Sequence, residues 1–248
     1  DNFGILGGEP TNLKLMNYLS SKFVSGKLSN KRLIKTIVMS NAYKRSSKFN
    51  KHNYEIDPDN VYFWRMNEKR LEAEQIRDSL LFISGELEET HKNISDFQID
   101  IKNPNKELRT YISNTKARSI YIPSLRDNKI EILDIFDRPD NSLLNAERSV
   151  TTVSTQALFL MNNDKIILLA ETEAKALAEH NKKMGKTMPD ILYRNNVNNI
   201  FLKFLGRKPN EEEVKKSVEF IKQDDNIQGN LAKFVQIIIC TGEFRNVK

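Results

Sequence analysis

Apolar residues recur at three- and four-residue steps along much of this chain, and that period predicts helices. Leu15, Tyr18, Leu19 and Phe23 mark one over residues 12–24, stopped at Gly26. Leu33, Ile34, Ile37 and Val38 mark a second, with Ser29 placed to cap it. A third covers 67–84 and ends at Gly85. Five more follow: 154–161, 164–180, 189–205, 211–222 and 230–240. Asn210 and Glu213 form a capping box for the fourth of these. Between these runs the period breaks. Residues 41–64 are polar, with Asp57-Pro58-Asp59-Asn60 a turn signal, and 86–117 read as a surface loop or short hairpin. The segments ARSIYIP and NKIEILDIF are rich in Ile and Tyr and read as two strands of a β-hairpin joined by SLRDNK. The expected fold class is mainly α, a multi-helix domain with one small β-hairpin.

With 248 residues the chain has ample core for one domain over 1–248. A subdivision into 1–117 and 118–248 would separate the first helices and loop from the hairpin and later helices. The net charge of +6 comes from 39 basic and 33 acidic residues and reads as interleaved. Basic residues come nearest to a cluster at 27–35 with Lys44, Arg45 and Lys48, without the aromatic interleaving or module of a nucleic-acid binder. No apolar run reaches the roughly 18 residues of a membrane span. Cys240, alone within FVQIIIC, reads as a small buried hydrophobe. There is no zinc spacing, no C-x-x-C-H haem attachment, no phosphate-binding glycine loop, and no second catalytic group near His52, His91 or His180. No metal is expected.

Chemistry is left to charged side chains. On a helical wheel Arg70, Glu74, Arg77 and Asp78 share one face of the third helix, while Ala73, Ile76, Leu80 and Ile83 share another. Leu81 falls within the charged face, as if that face were covered. Exposed pairs of this kind contribute only about 0.3–0.5 kcal/mol each, whereas a buried network would fix the helix to a neighbour. Further along, DIFDRPDNSLLNAERSVTTVSTQALFLMN places Asp134, Asp137 and Asp140 three apart. An EF-hand loop would need alternate acids and a central Gly. A glycosidase pair needs two carboxylates about 5–10 Å apart, a condition that many acid pairs meet. A bonded corner is the simpler reading. In it Asp140 and Asn141 turn the chain, and Glu147 and Arg148 pair with neighbouring charges. Thr151, Thr152 and Ser154 cap the next helix, and Gln156 bonds back across it.

Several stretches in order resemble one family: DNFGILGGEPTNLKLMNYLSSKFV, LIKTIVMSNAYKRSS, DPDNVYFWRMNEKRLEAEQIRDSLLFISGEL, ARSIYIP, IFDRPD, ERSVTTVSTQALFLMNND, FLGRKPNEEE and GEF. The series, spanning Asp1 to Phe244, is similar to the domain of unknown function 1553 family. Those are C-terminal domains of planctomycete-type proteins that often carry a cytochrome c domain near the N-terminus. Ser154 and Thr155 stand where the family commonly has Pro-Leu. The family pattern starts upstream of Asp1, so the chain reads as a fragment of a longer one. The resemblance implies export, an upstream domain able to hold haem c, and a setting in polysaccharide-degrading bacteria. It supplies no established catalytic residues.

Three functions stay open. The first is a structural or binding scaffold beside the upstream domains of the same parent chain. The second is a hydrolase or lyase on an anionic polysaccharide. Its catalytic carboxylate would come from Glu74, Asp78, Asp137 or Asp140, and Arg70, Arg77, Arg118, Arg148 and Gln156 would bind the substrate. The third is a helical partner-binding module. The scaffold ranks first, because no complete nucleophile, base and stabiliser can be assembled.

Overall fold

A computed structural model describes residues 7–97, 105–125, 128–140, 143, 145, 148–183 and 189–247. The chain divides into two compact units, 1–69 with 246–248, and 70–245. In the first, α1 (Leu13–Ser25) and α2 (Asn30–Val38) start on Asn12 and Ser29, whose side chains accept from the Leu15 and Arg32 amides. A third helix, α3 (Lys51–Ile56), lies inside the stretch whose period breaks, started by the Asn50 side chain. None of the three buries a residue. Order comes instead from the DPDN turn. The buried Asp57 carboxylate accepts from the Val61 and Tyr62 amides at 2.9 Å, and its carbonyl accepts from the Trp64 indole at 2.8 Å. Asn60, at φ 54°, donates to the Arg65 carbonyl. From Pro10 to Tyr54 there are ten Lys and Arg and no Asp or Glu, so charge is segregated here rather than interleaved, which gives the unit a positive field.

The second unit carries the core. Its elements are α4 (Ala73–Ile83), α5 (Lys106–Asn114), α6 (Glu131–Ile135), α7 (Ser154–Asn162), α8 (Asp164–Lys183), α9 (Pro189–Leu205), α10 (Glu211–Ile221) and α11 (Ile227–Cys240). The fold class is mainly α, as the hydrophobic period predicts. The central element is α11, which packs against α7, α8, α9 and α10. Its buried Leu231, Phe234, Val235, Ile238 and Ile239 follow the three- and four-residue steps of one face. Leu160, Val197, Ile200 and Ile221 meet the same cluster with almost no exposed surface. Cys240 is half-buried beside it, and burial pushes its thiol above the ordinary range. The capping box at α10 forms as read, with Asn210 and Glu213 bonded reciprocally at 2.7 and 2.8 Å. Arg207 locks that corner, holding both the Glu213 and Glu243 carboxylates at 2.6–2.9 Å.

The β structure is elsewhere than expected. Strands β1 (Lys69–Arg70) and β2 (Asn246–Val247) form the two-stranded sheet. The two segments read as a hairpin are helical turns, a 3₁₀ turn at Ser119–Tyr121 and α6. In the second, Leu133 and Phe136 are the buried pair, three residues apart. That is a helical step, hidden among Ile residues whose type favours strands. In the first, Ile120 and Tyr121 face solvent, so no strand face is buried. The loop 86–117 also holds α5 and a 3₁₀ turn, with one parallel bridge between Glu88 and Ala117. Among the described residues, no helix is long and apolar enough to cross a membrane.

Leu160 and Leu158 share α7 but differ in burial, fully buried against 53% exposed. Leu160→Ala should lower the free energy of unfolding by about 3 kcal/mol, and Leu158→Ala by under about 0.5. Chemical denaturation of the two variants checks both values.

Candidate functional site

The charged side chains singled out in the sequence gather around α4 and the strand before it. They fall into three groups. In the first, Arg70 leaves the end of β1 and reaches the segment around Asp137. One guanidinium nitrogen donates to Asp137 Oδ2 at 2.6 Å and the other to the Thr151 carbonyl. The side chains of Arg70 and Asp137 are 10% and 14% exposed. Asp137 also accepts from the Thr151 amide at 2.9 Å and the Thr151 hydroxyl at 2.8 Å. It holds φ 65°, a left-handed conformation that Asp tolerates better than most side chains. Gln156, fully buried, donates to the Ile135 carbonyl at 3.1 Å, while its Oε1 meets no partner among the described residues.

The second group centres on Arg77, whose buried guanidinium donates to the carbonyls of Ala117 (2.9 Å) and Thr115, and to Ser119 Oγ at 3.1 Å. Asp78, one residue on, accepts from the Ser119 amide at 2.9 Å and hydroxyl at 2.6 Å, and lies 3.3 Å from Arg77. Burial pulls the Arg77 guanidinium below its ordinary range, and the Asp78 charge offsets part of that. In the third group, Arg148 grips Glu74 in a two-point contact of 2.7 and 3.0 Å, with Glu72 at 3.6 Å. This pair is half open to water. Beside them Arg138 pairs with Asp134 at 2.9 Å.

Two candidates stand apart. Arg118 is exposed, and no partner for its guanidinium occurs among the described residues; it borders a cleft of about 500 Å³. Asp140 is exposed, and its carbonyl accepts from the Asn145 side chain, a turn contact. Asn141 and Glu147 lie outside the described residues. The expected caps do not form. The N-cap position of α7 is Val153, with no side-chain cap, and Thr151 is spent on Asp137 instead. Sequence reasoning missed Thr115 and Ser119, whose backbone and hydroxyl complete the Arg77 group; a lone Ser within an Ile/Tyr-rich stretch carries no local signal.

The electrostatics run against acid catalysis. The Arg148 bond lowers the Glu74 carboxyl below its ordinary value, against a smaller effect of burial. Burial alone would raise Asp137, but the Thr151 amide, Arg70 and the Thr151 hydroxyl together bring it below the ordinary value. Both stay ionised at neutral pH, so neither holds a proton to donate. Among the described residues, no group of three His, Cys, Asp or Glu is placed to hold a metal ion.

A carboxylate with a lowered folded-state pKa adds stability above its unfolded value, near 3.9 for Asp, and that stability is lost as pH falls through the folded value. Asp137→Asn should therefore melt lower than the parent chain at pH 7, by about 2 kcal/mol in unfolding free energy. The gap should close as pH falls below about 4. Thermal unfolding from pH 7 to pH 3 measures it, and a constant gap would contradict the assignment.

A family model described as PSD1, protein of unknown function (DUF1553), matches residues 1–221. No curated protein and no solved structure matches the chain. On that match the chain belongs to the PSD1 family of proteins of unknown function (DUF1553).

Proposed function

We propose that this chain is a structural and binding scaffold and not a catalyst, with its charged cluster serving as fastener. One observation supports this above the rest. Glu74, Asp78 and Asp137 each give their carboxylate oxygens to a partner, and these bonds tie α4 or β1 to Ser119, Asp137 and Arg148, and Asp137 to Thr151. A catalytic acid or base needs a lone pair or proton aimed at substrate and a pKa near the working pH. The lowered values of Glu74 and Asp137 are those of ion-pair partners. The hydrolase or lyase reading draws on the same residues and has no observation in its favour.

In its parent protein the domain would stand at the C-terminal side of an exported, redox-linked assembly, beside a domain holding haem c, in a polysaccharide-degrading bacterium. Family membership is the support for this wider setting, and haem staining with fractionation of the parent protein tests it.

A fastening pair tolerates exchange of its two charges, whereas a catalytic carboxylate does not. Glu74→Arg alone should cost about 1 kcal/mol, a modest value because the pair is partly hydrated. Adding Arg148→Glu should regain more than half of it. Melting curves of the three chains decide; an exchanged pair that stays as unstable as the single variant would count against fastening.

A further inference from the structure

The cleft beside Arg118 lies wholly within the second unit, and its lining is unequal in a way that specifies a ligand. Its apolar side is made by Leu71, Ile83, Phe204 and Phe244, the two Phe rings tilted together with centroids 6.4 Å apart. Phe82, also in the lining, is 72% exposed, a large apolar side chain left in water at the last turn of α4. The rest of the lining is polar: Gln75, Asp78, Ser79, Arg118 and Lys203. Asp78, the carboxylate of the lining, is already occupied by Ser119 and Arg77. Lys203 is held by Glu173 at 2.6 Å. Gln75 has given its oxygen to the Glu72 amide at 2.9 Å, which leaves its amide N–H groups as donors. Ser79 adds a hydroxyl. The guanidinium of Arg118 has no partner among the described residues. The cleft thus offers donors, one uncompensated positive charge, and an apolar wall.

We propose that this cleft binds an organic anion, a carboxylate or sulfate carried on a body with an apolar face. Arg118 takes the anionic group in a two-point contact, and the body lies along Phe82 and the Phe204–Phe244 floor. Arginine suits this role because its planar fork matches two oxygens of one group and stays charged at every working pH. The apolar wall excludes water from one side of that contact, which strengthens it over the same pair in bulk solvent. A volume of about 500 Å³ falls within the range of small-ligand sites and leaves room for a ring-sized body. The proposal rests on the scaffold reading in one respect: Asp78 is neutralised by its structural partners and does not repel the anion.

Titration calorimetry on the whole chain tests it with three probes: 2-naphthoate, the neutral 2-naphthamide, and inorganic sulfate. Naphthoate should bind at least about tenfold tighter than either of the others, a preference of the size one charge-assisted contact confers. Arg118→Gln should erase the preference for naphthoate over naphthamide with an unchanged melting temperature. Arg118→Lys should keep part of it, and Phe82→Ala should weaken both ring probes together. Equal affinities for naphthoate and naphthamide, no binding of naphthoate up to about 10 mM, or a preference that survives Arg118→Gln would each overturn the proposal. So would a lower melting temperature in Arg118→Gln, which would make the residue structural. Lost binding with stability intact would leave the scaffold reading standing, because that reading depends on Arg70, Arg77 and Glu74 and not on Arg118.

Discussion

The second unit depends on one buried cation. Arg77 lies on the core side of α4, between Ile76 and Leu80, with its head under the segment 115–119. A guanidinium in that place loses most of its hydration, and it is tolerable only if its donors are met. Thr115 and Ala117 supply carbonyls, Ser119 a hydroxyl, and Asp78 the opposing charge. Asp78 sits beside Arg77 on α4, while the other three lie 38–42 residues further along the chain in a stretch with little apolar surface of its own. The cation therefore sets the path of a segment that hydrophobic burial alone would leave undetermined. Ile120 and Tyr121 point to solvent, which agrees with a backbone held by polar contacts.

Arg70 and Glu74, earlier in the chain, repeat the device. The first fixes Asp137 and Thr151, and through them the approach to α7; the second draws in Arg148. The three groups are graded by exposure. Arg77 and Arg70 are shielded from water and carry large penalties if orphaned, whereas Arg148 is partly hydrated and contributes less. Buried ion pairs of this kind are weak evidence for net stability and better evidence for uniqueness, since few alternative packings satisfy every donor. In a scaffold, a single well-defined surface around the Arg118 cleft is what such specification would serve.

Much of this was legible in the sequence, and the failures share one cause. The helices that make the core announce themselves by period, and α1, α2, α7, α8, α9 and α10 fall where the apolar spacing places them. Caps were readable where one polar side chain serves one amide, as at Asn210 and Ser29. The members of the charged cluster were readable as residue types, but their pairing was not. Thr151 looked like a helix cap because its nearest use was local, yet its partner Asp137 is fourteen residues away. The segments ARSIYIP and NKIEILDIF looked like strands because Ile and Tyr favour strands in isolation. Their backbones are claimed by Arg77 in one case and by the burial of Leu133 and Phe136 in the other, and tertiary contacts outweigh propensity. Arg118 carried no signal separating it from the other arginines; only the path of the chain shows that its guanidinium has no partner among the described residues.

The central claim is that a buried guanidinium holds the 115–119 segment in place, and the equilibrium unfolding of Arg77→Ala measures it most directly. Removing the cation leaves the Thr115 and Ala117 carbonyls without this donor and Asp78 without its opposing charge, so the unfolding free energy should fall by more than about 3 kcal/mol. Amide exchange in residues 115–121 should accelerate with it. An Arg77→Ala chain that unfolds at the denaturant concentration of the parent, with exchange in that segment unchanged, would contradict the account.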